Sequence, residues 1–200
     1  MRKAALSLAI VLGAACGTKQ GTKLNEVKPP APPAAIPETW DMSDASTLPA
    51  QRDVAMAACE WLLDVAPATA NSKEWVRTRD FALDWIEASK EPEIPVVQPI
   101  VAYVATDRRF LYGVYMRGAY QCGKAKWVLA NPSGDPLSYD AEVAGIAAMD
   151  RLMRALQKWD PKTYSRRLAK LLRKQKSGKL ELFLNKIVAK AGKGASRKKK

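Results

Sequence analysis

The sequence predicts an all-α protein, a single compact bundle of about five to seven helices that follows a signal peptide and a proline-rich spacer. Three observations support this fold class. Apolar residues recur at steps of three and four along most of the chain after Trp40. A hydrophobic fraction of 48% with six tryptophans supplies enough apolar surface for a packed core. Proline and turn-forming clusters separate the periodic segments. We assign the helical domain to residues 40–190.

Residues 1–15 have the order of an export signal. Arg2 and Lys3 precede a mostly apolar run that ends in small residues. That run is too short to span a membrane, which requires about 20 apolar residues. The ending Leu-Gly-Ala-Ala-Cys resembles the lipobox of bacterial lipoproteins, with Gly13 where that family usually has leucine. The resemblance implies lipidation of Cys16 and anchoring in the cell envelope, facing the periplasm or the surface. The alternative is cleavage near Ala15, which would release a soluble periplasmic or secreted protein.

Residues 16–39 form the predicted spacer. They lack periodicity and contain the sequence PPAPPAAIP. Such a stretch favours an extended, semi-rigid conformation of about 3.1 Å per residue, which would hold a domain away from a membrane. The alternative is a disordered N-terminal tail.

The periodic segments after the spacer predict the helices in order. Asn71 with Glu74 indicates an N-terminal cap, and Ser138 and Asp160-Pro161 indicate two later helix starts.

The longest segment is the predicted central helix, with Asp107 as its cap. Apolar spacing of three and four places Leu111, Val114 and Lys126 among the residues of one core-facing side, and aromatic residues on its flanks indicate neighbours on more than one side. Its glycines would dock on small residues of the next helix, as in an αα-hairpin. The expected helices cover residues 49–65, 72–89, a short stretch ending near 105, 108–131, 139–159, 162–175 and a last one from 179, before a disordered basic tail at 191–200.

Positive charge is concentrated at the C-terminal end. The total charge is +13; residues 158–200 contain 16 Lys and Arg against two acids, so this region carries +14 and the rest −1. In an exported protein such a region can contact anionic head groups or an envelope polymer. Nucleic acid binding in a cytoplasmic protein and a solvated face are the alternatives. The candidate contact residues are Lys174, Lys176, Lys179, Lys193, Arg197, Lys198, Lys199 and Lys200.

Two cysteines remain if Cys16 is lipidated. Cys59 and Cys122 each lie in a predicted helix among apolar residues. An oxidising compartment would permit a disulfide between the first helix and the central one. The alternative is a pair of buried free thiols.

The residue types restrict the available chemistry. Because the chain has no histidine, it excludes Ser-His-Asp and Cys-His catalysis and histidine metal sites. We predict no cofactor and no metal. One stripe of the second predicted helix has three carboxylates, Asp80, Asp84 and Glu87. They could bind a cation or act in acid/base catalysis. We favour a solvated face with Arg77 paired to Asp80. A carboxylate pair such as Glu60 with Asp84 keeps a secreted or periplasmic enzyme as an alternative.

Two segments carry a second resemblance. LYGVYMRGAYQCGKAKWVLANP and GKLELFLNK resemble a family of small exported helical proteins with no assigned activity. The resemblance implies an all-α fold and transfers no site residues. The leading hypothesis is therefore a membrane-anchored envelope lipoprotein whose helical domain has an interaction or scaffolding role. Its expected partners are the membrane, through the lipid, and another envelope protein or an anionic envelope polymer. A carboxylate enzyme and a basic nucleic-acid or polyanion binder are the alternatives.

Overall fold

The computed structural model describes residues 29–67, 72–89 and 93–197, and within these ranges the chain is helical without β-strands. This confirms the predicted all-α bundle. No helix in the described ranges is long and apolar enough to cross a membrane. The seven α-helices are α1 (Leu48–Asp64), α2 (Ser72–Ala88), α3 (Gln98–Ala105), α4 (Met116–Ala130), α5 (Tyr139–Trp159), α6 (Arg166–Lys176) and α7 (Leu180–Arg197).

Helix α4 is the centre of the bundle. It packs against α5 most extensively and also contacts α1, α2 and α3. Met116, Tyr120 and Ala125 on this helix are fully buried. Because α4 has neighbours on several sides, most of its surface is core, as the aromatic residues on its flanks predicted.

The start of the central helix differs from the prediction. The chain turns through residues 108–112 and a 3₁₀ segment, Gly113–Tyr115, before α4 begins. Gly113 passes so close to α3 that a Cβ there would overlap the carbonyl oxygen of Ala105. As a result Leu111 and Val114, which were predicted to face the core, are 86% and 76% exposed. Lys126 was also predicted on the buried face, but it is exposed and pairs with a carboxylate of α1.

Small residues let α4 and α5 approach closely. A Cβ on Gly123 would lie 2.5 Å from both the Ala144 carbonyl oxygen and the Ala148 Cβ. In the opposite direction, a Cβ on Gly145 of α5 would lie 2.5 Å from the Tyr120 ring. The predicted docking of the glycine-bearing helix on the small-residue patch is therefore confirmed. Gly118 is different, since it faces Leu83 of α2 with room for a methyl group.

Four helix caps were predicted. Asn71 lies outside the described residues, and two of the other three caps lie elsewhere than predicted. Ser138 caps α5 as expected, its Oγ accepting from the Ala141 N–H at 3.3 Å. The backbone carbonyl of Asp160 instead closes a turn by accepting from the Thr163 N–H at 2.9 Å. The residue that caps α6 is Ser165. Asp107 does not cap the central helix, because its carboxylate accepts from the Ser165 hydroxyl at 2.9 Å. Burial acts to raise the pKa of Asp107, but hydrogen bonds from α6 and Ser165 outweigh it and lower that pKa.

The second half of the predicted spacer is attached to the domain. The Trp61 indole N–H donates to the Pro30 carbonyl at 2.9 Å. The Arg77 guanidinium donates to the carbonyls of Ile36 and Pro37 at 2.7 and 2.6 Å, so it is not the predicted partner of Asp80. The spacer therefore contacts the domain from Pro30 onward. At the other end, α7 continues to Arg197 through residues that were assigned to a disordered tail.

The glycines of α4 provide a matched test of this packing. We expect Gly123→Ala to lower the free energy of unfolding by about 1–3 kcal/mol, because the methyl group overlaps α5. Gly118→Ala should instead raise it by up to about 1 kcal/mol through helix propensity, since the position has room. Urea unfolding followed by circular dichroism measures both values. Equal effects of the two substitutions would contradict the close approach of α4 and α5 at Gly123.

Candidate functional site

Helices α6 and α7 form a C-terminal hairpin, residues 166–197, which has 11 Lys and Arg residues against one acid. The hairpin turns at Gly178, which has a positive φ of 66°. The N–H of Lys179 donates to the Lys174 carbonyl at 2.9 Å and closes the end of α6. This glycine-based termination fixes the direction in which α7 leaves.

The apolar side of the C-terminal hairpin is fixed to the bundle through α3. Phe183 packs edge-on against Tyr103, with ring centroids 5.7 Å apart. The Arg167 guanidinium donates to the Tyr103 carbonyl at 2.9 Å and to the Thr106 hydroxyl at 2.6 Å. Arg167 is therefore an anchor of the hairpin and not part of its free charge. The buried leucines of the hairpin are Leu168, Leu171, Leu180 and Leu184.

The opposite side of the hairpin is a cationic surface. We define it by its exposed side chains, Arg166, Lys170, Arg173, Lys176, Lys179, Lys186 and Lys190. In the described part of the chain none of these cations forms an ion pair. The acid of the hairpin, Glu181, is exposed, and so is the apolar side chain of Leu182. The surface thus combines uncompensated positive charge with apolar area.

The structure places the predicted polyanion contacts only in part. Lys176 and Lys179 belong to the cationic surface, and Lys174 is half-buried beside them. Lys193 and Arg197 lie on α7, but their side chains are outside the described part, as are residues 198–200. The sequence prediction missed Arg166, Lys170 and Arg173, although their spacing of four and three residues places them on one helix stripe.

A disulfide joins α1 to α4. Cys59 and Cys122 are bonded, with Cα atoms 5.4 Å apart and 63 residues of sequence separation. In the chain-entropy description, closing a loop of this length stabilises the fold by about 4 kcal/mol. Cys16, the predicted lipidation site, lies outside the described residues.

The acidic stripe of α2 is divided among separate partners. Asp80 pairs with Arg79 at 2.6 Å, and Glu87 pairs with Arg117 of α4 at 3.1 Å. Asp84 accepts the Trp40 indole N–H at 2.9 Å.

The proposed Glu60–Asp84 pair does not form. The Glu60 carboxylate is held by Lys126 and by Arg151, which also binds Asp64 at 2.6 Å. Burial acts to raise the pKa of Glu60, but these two cations together lower it. A group held ionised by two cations is poorly suited to donate a proton.

A buried polar cluster that the sequence did not predict lies between α4 and α5. The Lys124 ammonium, which is 0% exposed, donates to the Glu142 carboxylate at 2.7 Å. The Tyr120 hydroxyl donates to the other oxygen of that carboxylate. Burial and then the bond to Glu142 raise the pKa of Tyr120. Because the cluster is closed to solvent, its role is to fix the helix pair rather than to meet a substrate.

The described residues contain no group of three or more acidic or cysteine side chains placed to hold a metal ion. Comparisons with known protein families, with curated proteins and with solved structures find no match for this chain.

The buried pair between α4 and α5 gives a sharp stability test. We expect Lys124→Met or Glu142→Leu alone to lower the free energy of unfolding by about 3–5 kcal/mol, since each leaves a partner buried and unpaired. The double variant Lys124→Met, Glu142→Leu should lose less than the sum of the single losses. Lys126→Met is the control: its exposed pair should contribute at most about 1 kcal/mol. Additive single losses in urea unfolding would show that the two side chains are not coupled.

Proposed function

We propose that this protein is an exported lipoprotein, anchored through Cys16, whose helical domain contacts anionic components of the cell envelope. The observation that carries the proposal is the cationic surface of the C-terminal hairpin. Its charges are not neutralised within the described part of the protein, and its apolar side is already used for packing on α3. The domain serves an interaction or scaffolding role.

Export is supported by two independent features. Residues 1–15 have the pattern of a signal peptide, and the following cysteine stands in a lipobox-like sequence. The Cys59–Cys122 disulfide fits the same destination, because disulfides persist in oxidising compartments and are rare in the cytosol. A cytoplasmic nucleic-acid binder agrees less well with this bond.

Contact with anionic lipid is supported by the composition of the cationic surface. A basic residue held near an anionic membrane contributes about 1 kcal/mol to binding. Leu182 adds exposed apolar area beside the cations, a combination found on helices that lie at membrane interfaces.

Labelling in a bacterial host tests the anchor. We expect radioactive palmitate to label the protein in the membrane fraction and Cys16→Ala to be unlabelled and soluble. Cys59→Ala is the matched cysteine control and should remain labelled. In cells quenched with acid, Cys59 and Cys122 should react with an alkylating agent only after reduction. Unlabelled, soluble wild-type protein, or free thiols at these two positions, would contradict the proposal.

Vesicle binding tests the cationic surface separately from the anchor. The Cys16→Ala protein should bind phosphatidylglycerol vesicles and not phosphatidylcholine vesicles, with affinity that falls as salt is added. Replacing Arg166, Arg173 and Lys186 by glutamine should weaken binding by up to roughly a hundredfold, from about 1 kcal/mol for each cation.

The matched control for vesicle binding replaces Arg52, Arg108 and Arg109 by glutamine. These arginines are exposed outside the C-terminal hairpin, and the change in net charge is the same. We expect a much smaller loss of affinity for this variant. Equal losses in the two triple variants would mean that only net charge matters and that the hairpin is not the contact surface.

A further inference from the structure

We infer that the cleft between α2 and α4 is a binding site for a small organic ammonium ion with an apolar body. This inference concerns the domain itself and does not depend on the proposed anchoring or lipid contact. The cleft has a volume of about 350 Å³, within the range of small-molecule sites. Its walls are largely apolar and aromatic, with Leu62, Leu83, Leu152, Trp75 and Tyr115.

Gln121 of α4 is the first reason to expect a ligand. It is 2% exposed, and it lines both this cleft and an adjoining one of about 270 Å³ toward Ile94. Its side-chain oxygen accepts no hydrogen bond from the described residues. Buried polar atoms without a partner are rare in folded proteins, because each costs the hydrogen bond it made with water. A ligand N–H group would supply the missing donor.

The charges around the cleft select a cation. Five charged side chains line it, and four of them neutralise each other in two ion pairs, Arg79 with Asp80 and Arg117 with Glu87. Asp84 is the fifth. In the described part of the protein its carboxylate has no cationic partner and accepts a hydrogen bond only from the Trp40 indole. The cleft therefore has one uncompensated negative charge.

The aromatic wall specifies the rest of the ligand. The rings of Trp75 and Tyr115 pack edge to face with centroids 5.0 Å apart. Aromatic faces attract an organic cation and also pack against an aliphatic chain. An alkylammonium ion combines N–H donors for Gln121, a positive charge for Asp84 and an apolar chain for these walls. An anion of the same shape would be repelled by Asp84.

Three probes of equal chain length test the site on the purified ¹⁵N-labelled protein: n-hexylammonium chloride, 1-hexanol and sodium hexanoate. We expect hexylammonium to cause saturable NMR shifts of amides in α2 and α4 and of the indole N–H groups of Trp40 and Trp75. Hexanol should bind at least tenfold more weakly, and hexanoate should cause no saturable shift. Shifts by hexylammonium that do not saturate, or binding of hexanol with equal affinity, would overturn the inference.

Substitutions assign the selectivity to named side chains. Asp84→Asn keeps an acceptor for the Trp40 indole but removes the charge, so the preference for hexylammonium over hexanol should fall at least tenfold. Gln121→Met should weaken hexylammonium binding, while the control Glu181→Gln on α7 should leave it unchanged. Because Asp84 is exposed, its variant tests the site even if Gln121→Met does not fold. A full preference retained by Asp84→Asn would overturn the inference.

Discussion

The close approach of α4 to α5 determines how the other helices pack around α4. Gly123 and Gly145 allow it, and the Lys124–Glu142 pair is buried beside it. Cys122 lies two residues before Lys124, about 200° around the helix, so the disulfide to α1 and the ion pair to α5 hold opposite sides of α4. A rotation of α4 would break both attachments. The helix therefore has one orientation, and its third side is left to face α2.

The side of α4 that faces α2 explains why a cleft exists between these two helices. Gly118 and Gln121, three residues apart, lie on the same helix face and both line the cleft. Because Gly118 has no side chain and α4 cannot turn or shift toward α2, the space is not closed by repacking. The spacer residues before α1 bind α1 and α2 through Trp61 and Arg77, and the C-terminal hairpin binds α3. The cleft and the cationic surface, which have unpaired charges or hydrogen-bonding groups, are thus the parts of the described surface that these contacts do not cover.

The sequence predicted those features that depend on neighbouring residues. Helix α5 has the predicted bounds because its cap at Ser138 is local, and the charge of the C-terminal hairpin follows from composition alone. The features that were missed depend on contacts between distant parts of the chain. The start of α4 is set by α3, and the partner of Arg77 is a spacer carbonyl about 40 residues earlier. Helical periodicity placed Lys126 in the core instead of Lys124. The burial of Lys124 depends on its ion pair with Glu142 of α5, and no local sequence pattern reveals that contact. Of the groups around the cleft, the sequence identified only the acidic stripe of α2. Gln121 was missed because no sequence pattern indicates that a glutamine is buried.

The docked spacer changes how an anchored form of this protein would work. Since the chain contacts the domain at Pro30, an anchor at Cys16 would lie 14 residues from that contact, a distance of at most about 50 Å along a fully extended chain. Surface charges are screened beyond about 8–10 Å at physiological salt, so the cationic surface can act on a membrane only when it lies almost against it. A short tether makes such contact frequent, because it keeps the local concentration of lipid high. In a protein anchored at Cys16, docking of the prolines would therefore strengthen the coupling between anchor and hairpin, compared with a spacer that is undocked over its full predicted length.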